Sequence, residues 1–586
     1  MAVENLITEH IDIWTSAVKT KSTSGRGSGK KLELYGVKKL RELILELAVR
    51  GKLVPQDPND EPASVLLERI AAEKAQLVKE KKIKKQKALP EVTEQEAPYN
   101  VPKGWEWTRL GNLSSDIHYG YTASAKPNSE GVRLLRITDI QNDKVNWGTV
   151  PACDITEEKA KSYLLENDDI LIARTGGTIG KSYLVENIDL QAVFASYLIR
   201  VKRVQAVYAP FTKVFLGSQL YWKQLIENSA GTGQPNVNAT ALKQLLFIVP
   251  PFNQQKRIVA KVDELMALCD QLEQQTEASI EAHQVLVTTL LDTLTNSADA
   301  DELMQNWARI SEHFDTLFTT EESIDQLKQT ILQLAVMGKL VPQDPSDEPA
   351  SELLKRIAEE KAQLVKDKKI KKQKALPPIA EDEKPFEQPN GWEWCRLDDI
   401  CLGITSGSTP PKVNFNESEG IPYLKVYNIR EQKIDFEYKP QFVDNDCHKT
   451  KLARSVLYPG DVVMNIVGPP LGKIAIIPDT YPEWNCNQAI TFFRPIVPQL
   501  NKYIYTYLTA GSFLDSIELI GTAGQDNISV TKSRSILLPT PPLREQKRIV
   551  NKVHELFLLC NSLKMRLRKR QELKLCITDT IVEQAL

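Results

Sequence analysis

Histidine is scarce in this chain, with six among 586 residues. Neither these histidines nor the dispersed carboxylates fall at metal-ligand spacing or beside a nucleophile that a base would activate. The eight cysteines (153, 269, 395, 401, 447, 486, 560 and 576) include no Cys-x-x-Cys pair, which removes the common zinc and dithiol motifs. Cys395 and Cys401, the closest two, read as buried thiols. Neither sign of charge is in excess. The 74 Lys and Arg against 76 Asp and Glu leave a net charge of −2, so any nucleic-acid binding has to come from local basic patches. No apolar run is long enough to span a membrane. Met1 to Thr20 mixes charged with apolar residues and has no signal-peptide pattern. A reduced cytoplasm is the expected compartment.

What the sequence does have is a long internal repeat. Residues 40–90 realign with 327–377 at a shift of 287, with 41 of 51 positions identical. Both copies carry Gly-Lys-Leu-Val-Pro-Gln-Asp-Pro, at 51–58 and 338–345, and both end in a lysine-rich tract, 79–87 and 366–374. The same shift carries Gly104-Trp105-Glu106-Trp107 onto Gly391-Trp392-Glu393-Trp394. Further along the match weakens. Asp169-Ile170-Leu171 and Gly180-Lys181 correspond to Asp461-Val462-Val463 and Gly472-Lys473 at a shift of 292. The copies converge again at Pro250-Pro251 and Gln255-Lys256-Arg257-Ile258-Val259, which match Pro541-Pro542 and Gln546-Lys547-Arg548-Ile549-Val550. Drift alone spreads differences evenly; here they concentrate in two blocks, about 104–250 and 391–541. We read this as one architecture presenting two different recognition surfaces.

The framing segments are helical. Leu40, Leu43, Ile44, Leu47 and Ala48 form a stripe that Gly51 can cap, and Pro55 and Pro58 stop any continuation. A second helix starts near Pro62, with Leu66, Leu67, Ile70 and Leu77 on its apolar face, and runs into the lysines 81–87. Segments 88–103 and 375–390 are rich in Pro and acids and read as linkers. After each block the spacing 4, 3, 4, 3 marks a coiled-coil seam: Ile258, Val262, Leu265, Cys269, Leu272, and again Ile549, Val553, Leu556, Cys560, Leu563. Some 40 helical residues reach about 60 Å. Two such helices can pack antiparallel and hold the blocks apart; the alternative is that each packs on its own domain. The expected fold class is α+β: two mixed α/β domains separated by long antiparallel coiled-coil helices, with pseudo-twofold internal duplication. The expected domains are a helical connector 1–103, a first domain 104–252, a central connector 253–390, a second domain 391–541 and a C-terminal helix 542–586.

Each block opens with Trp-x-Trp and then a small, polar loop, His118 to Ser124 in the first and Gly403 to Pro410 in the second. Short strands follow near 133–137, 170–173 and 197–201, with equivalents near 421–426, 462–466 and 490–494, and helices near 208–228 and 500–520. Residues 173–182 approach a phosphate-binding P-loop, but Thr175 stands where that loop needs glycine, and the second copy has no Ser or Thr after Lys473. Val249-Pro250-Pro251-Phe252 approaches the Asn-Pro-Pro-Phe tetrad of DNA methyltransferases but lacks its Asn, and reads better as the junction between block and helix. What remains suits the reading of nucleic acid, with amides and hydroxyls for phosphates and base edges and Arg and Lys for phosphates and guanine. The candidates are Tyr119, Thr122, Lys126, Arg136, Arg174, Thr178, Lys181, Gln234 and Asn236 in the first block. In the second they are Thr405, Ser406, Thr409, Lys425, Lys473, Gln525 and Asn527. The tract 81–87 and its copy are either DNA contacts or solvated lysines at a helix end.

The passage from Ile44 to Asp57, repeated at 331–344, resembles the connector of Type I restriction-modification specificity subunits, of the larger enterobacterial kind. So do the Gly-Trp-Glu-Trp openings and the Pro-Pro…Gln-Lys-Arg-Ile-Val closings. The resemblance covers nearly the whole chain. It implies a non-catalytic subunit in which each target-recognition domain reads one half of a bipartite, asymmetric DNA site. The helices would act as a ruler for the unread gap. It further implies two modification subunits that use S-adenosylmethionine to methylate adenine, flipped from the stack, and restriction subunits that use ATP and magnesium. No cofactor is expected on this chain itself. The rival reading is a duplicated protein-interaction scaffold without sequence-selective DNA binding.

Overall fold

A computed structural model describes residues 3–22, 30–127, 130–228, 237–468, 470–517, 519–522 and 525–586. Two compact units result, Met1–Ser279 with Arg570–Leu586, and Ile280–Lys569.

In the first unit, helix α1 (Tyr35–Val49) buries Leu40, Leu43, Ile44, Leu47 and Ala48, the stripe predicted from the sequence. Its end is closed by the Lys52 amide donating to Leu47 O at 2.9 Å, with Gly51 at φ +70°. Helix α2 (Ala63–Lys79) follows Pro62 and buries Ala63, Leu66 and Ile70. The first divergent block then opens on strand β1 (Glu106–Arg109) and closes on β6 (Leu246–Val249). These two pair antiparallel, with Trp107 opposite Ile248, so the two ends of the divergent block are stitched together. Between them lies an antiparallel sheet of four strands, in the order β2 (Ser114–Tyr119), β5 (Leu198–Arg203), β3 (Ile170–Ala173), β4 (Ser182–Leu184). A short parallel pair, Arg133–Leu135 with Ala192–Phe194, stands beside it.

The second unit repeats this plan. Helices α4 (Glu321–Val336) and α5 (Ala350–Lys366) match α1 and α2. Strands β7 (Glu393–Arg396) and β12 (Leu537–Thr540) pair as β1 and β6 do. The four-stranded sheet has the order β8 (Cys401–Ser406), β11 (Ile490–Pro495), β9 (Val462–Asn465), β10 (Ile474–Ile476), the topology of its counterpart. The parallel pair is Ile421–Leu424 with Asn485–Cys486. The helix expected over 500–520 is shorter. It ends at Ala510, where Gly511 takes φ +78°, and a turn of helix, Phe513–Ser516, precedes an extended segment at Ile520–Thr522.

The two long helices are α3 (Phe252–Thr295, 44 residues) and α6 (Leu543–Ala585, 43 residues). Helix α3 begins in the first unit and ends in the second, whereas α6 begins in the second and ends in the first. The first half of each seam is covered within its own unit. Ile258, Val262, Leu265 and Cys269 are buried and Leu272 half-buried, and Arg41 of α1 reaches Asp270 at 2.6 Å and Glu273 at 2.7 Å. Ile549, Val553 and Cys560 share one apolar cluster with Leu327 and Ile331 of α4, and Leu556 and Leu563 pack against it. The far ends are also buried: Val287, Leu291 and Leu294 join the core of the second unit, and Ile581 and Val582 are buried in the first. The Pro-Pro junction leads into each long helix, where the Gln255 amide donates to Pro250 O and the Gln546 amide to Pro541 O, both at 2.8 Å.

Candidate nucleic-acid interface

The two sheets launch their polar loops in the same way. Strand β2 ends at Tyr119, and Gly120 donates to Leu198 O at 3.1 Å while Tyr121 donates to Phe194 O at 2.7 Å. Strand β8 ends at Ser406, and Gly407 donates to Ile490 O at 2.9 Å while Ser408 donates to Cys486 O at 3.0 Å. A Cβ on Gly120 would overlap the carbonyls of Phe194 and Ala195, and one on Gly407 those of Cys486 and Asn487. The backbone frame is therefore shared, and the two domains differ in the side chains they hang on it.

In the first domain an aromatic group occupies this place. The Tyr121 and Tyr163 rings lie 5.5 Å apart, and Tyr163 also meets Phe194 and His118. Tyr119 lies under the Arg174 guanidinium, 4.7 Å from it, and its hydroxyl accepts from the Ala239 amide at 3.2 Å. Val237 donates to Arg174 O at 3.0 Å. Tyr119, Arg174 and the segment beginning at Val237 thus converge. Thr178 and Lys181 sit in the turn just beyond Arg174. Gln234 and Asn236 lie outside the described residues. Lys126 and Arg136 are engaged within the domain, with Asp154 at 2.5 Å and with Asp139 at 2.7 Å. Thr122 is exposed on the loop.

In the second domain the same place is polar. Thr409 donates from its hydroxyl to Gln488 Oε1. The Arg454 Nε donates to Ser408 Oγ at 3.1 Å. Thr405 and Ser406 end strand β8 below them. Lys425 lies over the Phe415 ring at 5.1 Å. Lys473 follows the β9–β10 turn, its amide donating to Asn465 Oδ1 at 2.6 Å. Gln525 and Asn527 belong to a short strand whose Asn527 bridges Val467; the Asn527 Oδ1 is buried without a hydrogen-bond partner among the described residues. The sequence reading selected Thr409 and Tyr119 but passed over Arg454, Gln488 and Tyr163. The usable signal was the change of shift to 292, which sets Ser162 opposite Arg454 and Ser196 opposite Gln488.

The motifs that approached other chemistries take unsuitable structures. The P-loop-like stretch is the turn of a β-hairpin, since β3 pairs antiparallel with β4 directly after it, where a nucleotide-binding loop needs a helix. Cys395 and Cys401 are fully buried and unbridged, and burial pushes the Cys395 thiol up to about 12, far from a reactive thiolate. Among the described residues no group of three or more His, Cys, Asp or Glu has metal-binding geometry, and no helix is long and apolar enough to cross a membrane.

The first lysine tract lines a cleft of about 1340 Å³ together with Asp116, Lys161, Arg200, Lys202 and Lys243. Gln86 anchors the tract by donating to Ser115 O at 2.9 Å. Lys84, Lys85 and Lys87 make no ion pair among the described residues, so the cleft carries uncompensated positive charge. Beside it, burial and then the neighbouring Lys243 hold the Lys74 ammonium down at about 8. Its hydrogen goes to the Gly111 carbonyl at 2.9 Å.

A profile of the family described as the Type I restriction modification DNA specificity domain matches residues 102–282 and 389–575. The chain is 41% identical over 616 residues to the Type I restriction enzyme EcoAI specificity subunit of Escherichia coli, covering all of both chains. It is 41% identical over 614 residues to the EcoEI specificity subunit of the same organism, again over all of both. Among solved structures it resembles a chain from work on assembly and conformational transition of the type I R-M system. That match has 18% identity and a TM-score of 0.49, and it covers 83% of this chain and 99% of the other.

Proposed function

Because the chain belongs to the family of Type I restriction-modification DNA specificity subunits, we propose that it selects the DNA site on which a Type I complex acts. Each recognition domain reads one half of a bipartite, asymmetric site. The long helices, each beginning in one unit and ending in the other, set the unread gap between the halves. Half-sites about one helical turn apart, roughly 34–36 Å, present themselves on one face of a duplex. The observation that carries this reading is the shared frame at Gly120 and Gly407 with unlike side chains above it: tyrosines in one domain, Ser408, Arg454, Thr409 and Gln488 in the other. One scaffold that presents two chemistries is what a split, asymmetric target requires.

The chemistry then belongs to the partners. Two modification subunits bring S-adenosylmethionine and methylate adenine, and restriction subunits cleave unmethylated DNA with ATP and magnesium. The complex works in the cytoplasm. Partners that share the phosphate contacts also account for a recognition chain with a net charge of only −2. Selection from randomised duplexes by the chain bound to its modification subunits tests the proposal. Enrichment of two short sequences at one fixed spacing is expected. Affinity without any enriched sequence would favour a scaffold role.

A further inference from the structure

The second recognition domain, residues 391–541, contains five arginines. Four of them are bound by carboxylates of their own unit: Arg396 by Glu383 at 2.9 Å, Arg430 by Asp435 at 3.4 Å, Arg494 by Asp461 at 2.6 Å and Arg534 by Asp398 at 2.8 Å. Arg454 alone has no carboxylate partner among the described residues. It is exposed, on the turn Ala453–Ser455, and its one hydrogen bond among the described residues runs from Nε to Ser408 Oγ. That bond uses the inner edge of the guanidinium and leaves Nη1 and Nη2, the bidentate fork, without an acceptor among the described residues.

The fork is fixed from below. Ser455 next to it is buried, and its hydroxyl donates to Asn485 Oδ1 at 2.7 Å. Ser408, which holds Arg454, is placed by its N–H donating a hydrogen bond to Cys486 O at 3.0 Å, at the end of the short parallel pair. In the first domain the corresponding positions, by shifts of 292 and 287, are Ser162 and Tyr121, and the Tyr121 ring lies 5.5 Å from that of the neighbouring Tyr163. The place is therefore constant in the fold and different in chemistry. A side chain that sets one half of an asymmetric target apart from the other has these properties.

We propose that Arg454, aimed by Ser408, is a specificity-determining residue of the second recognition domain and reads a guanine in its half-site. Guanine presents O6 and N7 side by side in the major groove, the pair of acceptors that the two free Nη groups match. Gln488 is held by Thr409, the residue after Ser408. This inference rests on the function proposed above.

The test uses the complex of the full chain with its modification subunits, first wild type and then Arg454→Lys, Arg454→Ala and Ser408→Ala. Methyladenine is mapped across host DNA, and binding is measured to duplexes substituted at each target position. Loss of discrimination by about tenfold or more at one G·C pair of one half-site is expected for both Arg454 variants. The other half stays unchanged, and Ser408→Ala gives a smaller loss at the same pair. Matched melting temperatures for Arg454→Lys and wild type separate this from misfolding. An unchanged motif overturns the proposal. So does a loss that is equal for every sequence and lowers the salt dependence of binding, since that marks a phosphate contact. A wild type that yields no split motif overturns the functional reading and the assignment of Arg454 with it, whereas a split motif unchanged in the variants overturns the assignment alone.

Discussion

Arg548, in the first turns of α6, donates to the carboxylate of Asp347 at 2.7 Å, and the Asp347 side chain is only 2% exposed. Asp347 lies in the loop between α4 and α5, so the bond ties the start of the long helix to the repeat connector. Arg257 and Asp60 form the same clasp in the first unit. Removing the arginine leaves a buried carboxylate without its cation. Arg548→Met is expected to destabilise the second unit by about 2–3 kcal/mol, read as a fall of several degrees in thermal melting. Asp347→Asn with Arg548 intact is expected to cost less, because the amide needs no counter-charge. Equal melting of Arg548→Met and wild type would remove the clasp from the account.

The Gly407 backbone passes against two carbonyl oxygens, whereas Gly403, within the strand β8 that leads into it, meets nothing closer than the Gln373 side chain at 3.5 Å. Gly407→Ala forces the loop away from the Cys486 and Asn487 carbonyls and is expected to cost about 2–3 kcal/mol and to abolish selectivity in one half-site. Gly403→Ala is the control and should leave both stability and motif near wild type. Equal behaviour of the two variants would refute the frame described for the loop.

Lys84, Lys85 and Lys87 line the cleft beside the first recognition sheet. If they neutralise phosphates, exchanging all three for Gln lowers the slope of log affinity against log salt by up to about 2.7, at about 0.9 per contact. The bound sequence stays the same, because phosphate contacts carry no sequence information. An unchanged slope would make the tract a solvated helix end.

Glu321, at the start of α4, accepts from Arg568 at 2.6 Å, and that hydrogen bond holds its carboxyl below the ordinary glutamate value. A depressed folded value means that the unfolded chain binds more protons over this range. The contribution is therefore complete above the ordinary value near 4.5 and is lost as pH falls through the folded one. The pair is partly exposed, so solvent screening keeps the effect under about 1 kcal/mol. Glu321→Gln should lower stability at neutral pH by up to that amount, leave it almost unchanged at low pH, and so flatten the acid limb of the profile. A steeper acid limb in the variant would contradict the pairing.

The framework was legible because the chain states it twice. The stripe at Leu40, Leu43, Ile44, Leu47 and Ala48, the stop at Gly51 and the Pro-Pro entry to α3 all depend on neighbours in sequence, where period and turn chemistry speak directly. The reading surface was legible only in part. Tyr119 and Thr409 stood out as polar or aromatic residues on a small-residue loop. Arg454 did not, because its partner Ser408 is 46 residues away and Gln488 is 79 from Thr409. Those contacts are set by the register of β8 on β11 and by the parallel pair, which no local pattern encodes. The long seams show the same limit. Their spacing announced a helix–helix contact, but only the structure identified α1 and α4 as the cover for their first halves.

A chain that reads two different half-sites at a fixed distance leaves that pattern in methylated DNA. The most direct measurement co-expresses the chain with the modification subunit of its own operon in a methylation-free host and maps methyladenine by long-read sequencing. A single split motif, two unlike short halves around a constant gap, is the expected result. No methylation, with the modification subunit shown to be soluble and bound to the chain, would contradict the claim, as would methylation at one continuous sequence.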